Sequence, residues 1–348
     1  MRRSALLATI GARLEIRSRL RGRLFELLAL EDDELLAAVG GSSPAPTPVP
    51  VRTGGDEPIC RHDSRYPESL MDDGAPRALY VRGGITRLAT LGSTAAVAIC
   101  GSTLSTDYGT ELAASIAREL AAHGVTVVSG LADGVGAAAQ REAAAASAGA
   151  IAVLGGGLGA GVAASRRALA RRIPAHGCLV AELPDDCGGR VWGRIAAARV
   201  LVRLSTVTLV VEAADTPVDL SVAEVAKSLG RTLAVMPGRV TSPASRGAHQ
   251  LLIDGAHLAR GAGDVLALLA STGGPAPPAS SSRSRGLDPA LRTVLELVGA
   301  GSDTPEKLER AGASAEHVLL ALSRLELLGL LARGDGGRYL VRAGAIEA

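Results

Sequence analysis

Residues 97–109 read VAICGSTLSTDYG, an apolar run that passes through Gly101, Ser102 and Thr103 into a segment of helical character. A strand that breaks on glycine at a helix start leaves backbone N–H groups unpaired beside a partial positive charge, the geometry of an anion site. Two further apolar runs end the same way. VVSGLADGVGAAAQ (127–140) brings Ser129 and Gly130, and MPGRVTSPASRGAHQLL (236–252) brings Pro237 and Gly238. In an open parallel sheet such turns gather beyond the carboxyl ends of the strands. Small residues there either converge on a phosphate or simply make tight turns, and the residues alone leave both readings open. The turn at Gly101 lacks G-x-G-x-x-G, and no G-x-x-x-x-G-K-[ST] occurs, which argues against a dinucleotide or P-loop site.

Positive charge is concentrated between residues 166 and 203, where Arg166, Arg167, Arg171, Arg172, Arg190, Arg194, Arg199 and Arg203 face only Glu182, Asp185 and Asp186. Arg194 and Arg199 lie on a helix that begins near Trp192. Guanidinium groups near the crevice would neutralise backbone phosphates while the aromatic ring stacks a base. A solvated arginine face explains the same pattern. Catalytic groups are thinly spread. His62, His123, His176, His249, His257 and His317 have no metal-ligand spacing, no G-x-S-x-G elbow occurs, and Glu182 and Glu212, each ending a strand, are the nearest candidates for a general base. Cys60, Cys100, Cys178 and Cys187 form no C-x-x-C pair and read as free thiols of a reducing compartment. No metal or cofactor is expected.

The elements that must position these groups are legible as patterns. The chain has 348 residues, 47% hydrophobic and 21% charged, enough for two or three globular domains. Its net charge of +2 is too mild to mark a nucleic-acid binder without a local argument, and aromatic residues make up only 2%, so stacking surfaces are scarce. Residues 1–42 carry Leu and Ile at helical spacings and form a helical N-terminal segment. SPAPTPVPVRTGGDEP (43–58) is a linker by composition, placing a first boundary at 43–57. Within 58–270 the runs AAVAIC, VTVVS, AIAVLG, CLVAEL, VTLVVEA and TLAVMPG alternate with alanine-rich helical stretches, the mark of βαβ units and a parallel sheet. A second Pro/Ser linker, 271–286, precedes 287–348, which reads as helices over 289–299, 304–311 and 314–328 and then two apolar runs joined by Asp335-Gly336-Gly337. Three helices and a hairpin make a winged helix. The fold class is therefore α/β, an extended Rossmann-like domain with a parallel sheet, a small helical N-terminal segment and a C-terminal winged helix.

These motifs in this order, RYPESL, APRALYVRGG, VAICGST, GVTVVSGLADGV, AIAVLGGGL, LVAELP, VTLVVEA and AVMPGRVTSP with SRGAHQLLIDGA, resemble the DprA (Smf) family of DNA-processing proteins from residue 58 to 341. The resemblance implies a cytoplasmic homodimer, without catalytic activity, that binds single-stranded DNA, protects incoming DNA in natural transformation and helps to load a RecA-type recombinase. It also implies DNA or phosphate contacts at Gly101, Ser102, Thr103, Ser129, Gly130, Arg166, Arg194, Arg199 and Gly238. Departures fall at that surface. The family carries arginine where this chain has Thr103, aspartate and histidine where it has Gly136 and Gln140, and an aromatic residue at Arg194. Its Arg-Asn pair is Ala197-Ala198 and its Ser-Gly-Ser turn is Pro217-Val218-Asp219, which sets a carboxylate near the expected phosphate.

Two other readings compete. One is a protein-interaction module whose DNA site has decayed. The other is a nucleotide hydrolase of the lysine-decarboxylase-like group, whose PGGxGTxxE loop is absent. In the C-terminal segment the third helix is dominated by leucine and offers only Arg324 as a base, so protein contact is expected of it rather than duplex reading. Arg13, Glu15, Arg17 and Arg19 follow the short N-terminal apolar run at once, and no run reaches about 18 apolar residues, so neither a signal peptide nor a membrane span is expected.

Overall fold

The computed structural model describes residues 2–17, 23–40, 56–72, 74–146, 148–272, 287–299, 302–310, 315–333 and 337–341. They fall into two compact units, one of residues 1–260 with 265–278 and the other of 261–264 with 279–348.

The larger unit opens with α1 (Arg2–Arg17), α2 (Arg23–Ala29) and α3 (Asp32–Val39). Arg3 ties them together, donating to Asp32 at 2.9 Å and to the Leu28 carbonyl at 2.8 Å. Leu7, Leu14 and Leu35 are fully buried between them, each worth about 1.5–3 kcal/mol relative to exposure.

The sheet begins with β1 (Asp56–Cys60) and β2 (Ala78–Arg82), followed by α4 (Ile85–Gly92). β1 takes up Asp56 and Glu57, residues that compositionally continue the Pro/Gly stretch, and its Pro58 is tolerated because β1 is an edge strand. The βαβ alternation then runs through β3 (Ala96–Cys100), α5 (Asp107–Ala122), β4 (Thr126–Gly130), α6 (Val135–Ala143), β5 (Ala150–Leu154), α7 (Arg167–Arg172) and β6 (Cys178–Ala181). It continues with α8 (Val191–Arg203), β7 (Val207–Val210), α9 (Pro217–Ser228), β8 (Thr232–Val235), α10 (Arg246–Ile253), β9 (His257–Leu258) and α11 (Ala262–Ser271).

The strand order is β1-β2-β6-β5-β4-β3-β7-β8-β9. Seven strands, β3 to β9, are parallel, and β1 and β2 add antiparallel at one edge. The inner strands are buried along their whole length, which is why they read in sequence as unbroken apolar runs. From β3 the chain steps one way to β4, β5 and β6, then returns to β3's other side with β7. The topological switch point therefore lies between β3 and β7, where open α/β sheets leave a crevice for ligands.

The smaller unit holds α12 (Pro289–Gly299), α13 (Pro305–Arg310), α14 (Ala315–Leu327), β10 (Leu331–Arg333) and β11 (Tyr339–Val341). The two strands pair antiparallel, and Val294, Leu308, Val318, Leu322 and Leu325 form the core. The residues joining the strands at 334–336 lie outside the described residues. On α14, Leu319, Leu320 and Leu327 are exposed.

Candidate functional site

A cleft of about 670 Å³ opens beyond the carboxyl ends of β3, β4 and β5. Its β3 side is Cys100, Gly101, Thr103 and Leu104, its β4 side Ser129 to Asp133, and its β5 side Val153 to Gly156. Two helices complete it, α8 through Arg190, Val191, Arg194 and Leu201, and α9 through Asp219, Ser221 and Val222.

Close backbone packing builds this mouth. A side chain on Gly101 would begin 2.6 Å from the Glu212 carbonyl oxygen and 2.7 Å from Val135 Cγ2, so only glycine lets β3 turn here. Likewise a Cβ on Gly193 would collide with the Gly155 carbonyl, which seats the first turn of α8 directly on the loop after β5.

Five of the nine residues expected at the site line the cleft: Gly101, Thr103, Ser129, Gly130 and Arg194. Gly130 has only the Val153 carbonyl near its missing Cβ, at 3.9 Å, so its glycine leaves space rather than relieving a clash. The Ser129 hydroxyl is committed, donating to the Ile99 carbonyl at 2.6 Å. Arg166 does not line the cleft, but it pairs with Asp133, which does.

Three expectations fail on the geometry. Ser102 is buried, its amide donates to the Glu212 carbonyl at 2.6 Å, and its hydroxyl accepts from the Leu104 amide at 3.1 Å while its proton serves the Asp219 carboxylate, so neither group is open to a ligand anion. Gly238 is not among the cleft-lining residues, and its missing Cβ would press on the Ser245 side chain, which makes it a packing glycine. Arg199 is only 4% exposed. Its Nη2 donates to Glu182 at 2.5 Å, its Nη1 to the Gly74 carbonyl at 3.2 Å and its Nε to the Ala196 carbonyl at 3.2 Å. It is a structural arginine that fastens α8 to the end of β6.

Trp192 also leaves the proposed stacking role. Its ring is 1% exposed and sits in the cluster formed by the N-terminal helices with Leu183 and Ile195. Neither glutamate is placed as a base. Glu182 holds Arg199, and Glu212 accepts from the Thr106 amide at 2.7 Å and the Thr106 hydroxyl at 3.0 Å, anchoring the start of α5. Among the described residues no group of three or more His, Cys, Asp or Glu could hold a metal ion.

Two arginines therefore dominate the electrostatics of the mouth. Arg190 and Arg194 are exposed, line the cleft, and make no side-chain hydrogen bond or ion pair among the described residues. Arg190 was one of many arginines in its segment. What sets it apart is its place at the N-cap of α8, a position the Gly188-Gly189 pair just before it marks in sequence. Opposing them on α9 is Asp219, 8% exposed, whose carboxylate accepts from the Ala214 amide at 3.1 Å. Burial pushes its carboxyl above the usual range, against the pull of that hydrogen bond, of Ser102 and Thr216, and of the Arg194 charge.

Residues 57–270 match the family described as DNA recombination-mediator protein A. The chain belongs to this DprA family. A DprA of Mycobacterium tuberculosis is 35% identical over 257 residues, which cover 73% of this chain and 66%, just under two thirds, of that relative. The Smf protein of Escherichia coli is 31% identical, covering 80% of this chain and 76% of its own. Among solved structures, DprA from Streptococcus pneumoniae superposes with a TM-score of 0.58 at 22% identity, covering 76% of this chain and 92% of that one. DprA from Helicobacter pylori, whose structure describes a single-stranded DNA binding mode, superposes with a TM-score of 0.52 at 25% identity, covering 62% and 96%. The Rossmann-like α/β architecture is thus the DprA fold. Among the described residues no helix is long and apolar enough to cross a membrane.

Proposed function

We propose that this DprA-family protein captures single-stranded DNA by its backbone at the cleft beyond β3, β4 and β5, and breaks no bond in doing so. The observation that carries this reading is the pair Arg190 and Arg194, two exposed guanidinium groups without ionic partners among the described residues, at the mouth of a cleft on the β3 side of the topological switch point. Such groups release counterions from a phosphate backbone on binding. The single-stranded DNA bound by the H. pylori relative supports the same assignment. Thr103 and the open space at Gly130 complete the phosphate side. The finer parts of the reading, a cytoplasmic homodimer that protects incoming DNA and hands it to a RecA-type recombinase, rest on family membership.

The test is fluorescence anisotropy of labelled oligo-dT against the full chain at about 50 and 200 mM salt. Binding should weaken with a log–log slope of about 0.7 per phosphate contact, hence about 1.4 for Arg190 and Arg194 together. Absence of binding, or affinity indifferent to salt, refutes the reading.

A further inference from the structure

The cleft lacks what a sequence-tolerant single-strand binder uses and contains what such a binder avoids. Among the described residues no aromatic ring lines it. Stacking, which treats all bases alike because every base has a π-face, is therefore not its means of holding a base. Its walls are instead aliphatic, with Leu131, Leu154, Val162, Leu201 and Val222 around a volume in the usual small-molecule range of roughly 300–1,000 Å³.

Against these walls stands Asp219, more than nine-tenths buried and yet lining the cleft. It has no cation within ion-pair distance among the described residues. A carboxylate offers about four acceptor sites. The Ala214 amide fills one, and the Ser102 and Thr216 hydroxyls lie close enough to fill two more, which leaves about one open. Helix capping explains part of this, because Asp219 follows the N-cap Thr216 by three positions. It does not explain why a buried anion with an acceptor site still open should face a site for a polyanion.

Resting on the single-strand reading above, we propose that Asp219 reads bases. A nucleobase enters the aliphatic cleft edge first and donates an N–H to the Asp219 carboxylate, while its phosphate stays on the Arg190 and Arg194 side. The carboxylate repels phosphate from the α9 wall, which fixes this orientation. Guanine, with N1–H and N2–H side by side, suits the carboxylate best, and among the pyrimidines cytosine is favoured through its N4 amine, a group from which carboxylates accept. Thymine and uracil offer only an N3–H flanked by two carbonyl oxygens, which the carboxylate repels, and are disfavoured.

The comparison of dC12 with dU12 isolates this edge, since the two differ only in the pairing groups at C4 and N3. By anisotropy at constant salt the full chain should bind dC12 about three- to tenfold more tightly than dU12. Asp219→Asn, whose amide can donate as well as accept, should bring the ratio to about one while tightening both oligonucleotides. A probe that leaves the protein untouched guards against a folding defect: dC12 dimethylated at every N4 should bind the parent chain no better than dU12. Equal binding of dC12 and dU12 by the parent, or a preference that survives Asp219→Asn in a folded protein or N4 dimethylation, overturns the proposal while leaving single-strand binding intact. Failure of every oligonucleotide to bind sinks the underlying reading and this one with it.

Discussion

Arg199→Ala and Arg194→Ala, two arginines five residues apart on one helix, should fail in opposite ways. Arg199 is 4% exposed and Glu182 12% exposed, and their 2.5 Å contact is the only ion pair either makes among the described residues. Truncating Arg199 leaves the Glu182 carboxylate buried without its cation and removes the tie to the Gly74 carbonyl. Breaking a buried pair by deleting one partner costs about 3–5 kcal/mol. In a unit of this size about 1 kcal/mol moves Tm by roughly 2–4 °C, so the melting point should fall by about 6–20 °C. Arg194 is exposed and unpaired, so its loss should cost less than about 0.5 kcal/mol and leave Tm within about 2 °C. The binding readout reverses the order. Arg194→Ala should flatten the salt slope for oligo-dT by about 0.7, whereas Arg199→Ala, measured well below its melting point, should leave that slope unchanged. Adding Glu182→Gln to Arg199→Ala should recover at least about 1 kcal/mol, because a buried amide is cheaper to leave half-satisfied than a buried charge. Circular dichroism melts with anisotropy titrations measure both axes. An Arg199→Ala protein that melts with the parent but has lost its salt-dependent binding would refute the assignment of the two roles.

Three further outcomes follow from the same geometry. Asp133→Ala releases Arg166 from its ion pair beside the cleft and should tighten oligo-dT binding severalfold, an effect that Arg166→Ala must abolish if the freed guanidinium is the cause. Thr103→Arg places a fixed charge on the β3 side of the cleft and should tighten binding about tenfold at moderate salt, with the gain shrinking as salt rises; no gain in a folded variant would show that the cleft does not face DNA. Burial raises the thiols of Cys100 and Cys178 to about 12, so at pH 8 only about one in ten thousand of each is thiolate, and native alkylation followed by mass spectrometry should modify Cys60 well before either.

How much of this was legible depended on whether the signal was local. The strands at 96–100, 126–130, 150–154, 178–181, 207–210 and 232–235 could be read because parallel strands buried on both faces need continuous β-branched and apolar runs. β1 could not, since DEPIC carries two acids and a proline and owes its place to pairing with β2. The glycines that line the cleft were visible as strand-to-helix turns, but the same turn chemistry at Gly238 serves packing alone. Arg199 was misread because its partner Glu182 lies 17 positions away and Gly74 lies 125 positions away. A usable signal existed nonetheless. Apart from its two arginines IAAARVLVRL is apolar on every side, such a helix is buried, and arginines within it must be paired. Arg203 obeys the same rule, donating to Asp72 at 2.8 Å. The pairing of Arg166 with Asp133 had no comparable local mark.

The burial of Trp192 also gives the protein an optical gauge. It is the single tryptophan of the chain, and a side chain added at Gly11 of α1 would meet its ring at 3.5 Å. Its emission therefore reports on the seating of the N-terminal helices against α8, the helix that carries Arg190 and Arg194 into the cleft. A chain trimmed to the family-matched span 57–270 should fluoresce at longer wavelength and be quenched by iodide, while the full chain should emit in the blue and resist quenching. Titrating DNA while following that colour would reveal whether a ligand on one flank of α8 loosens the helices docked on the other, with no label attached to either molecule.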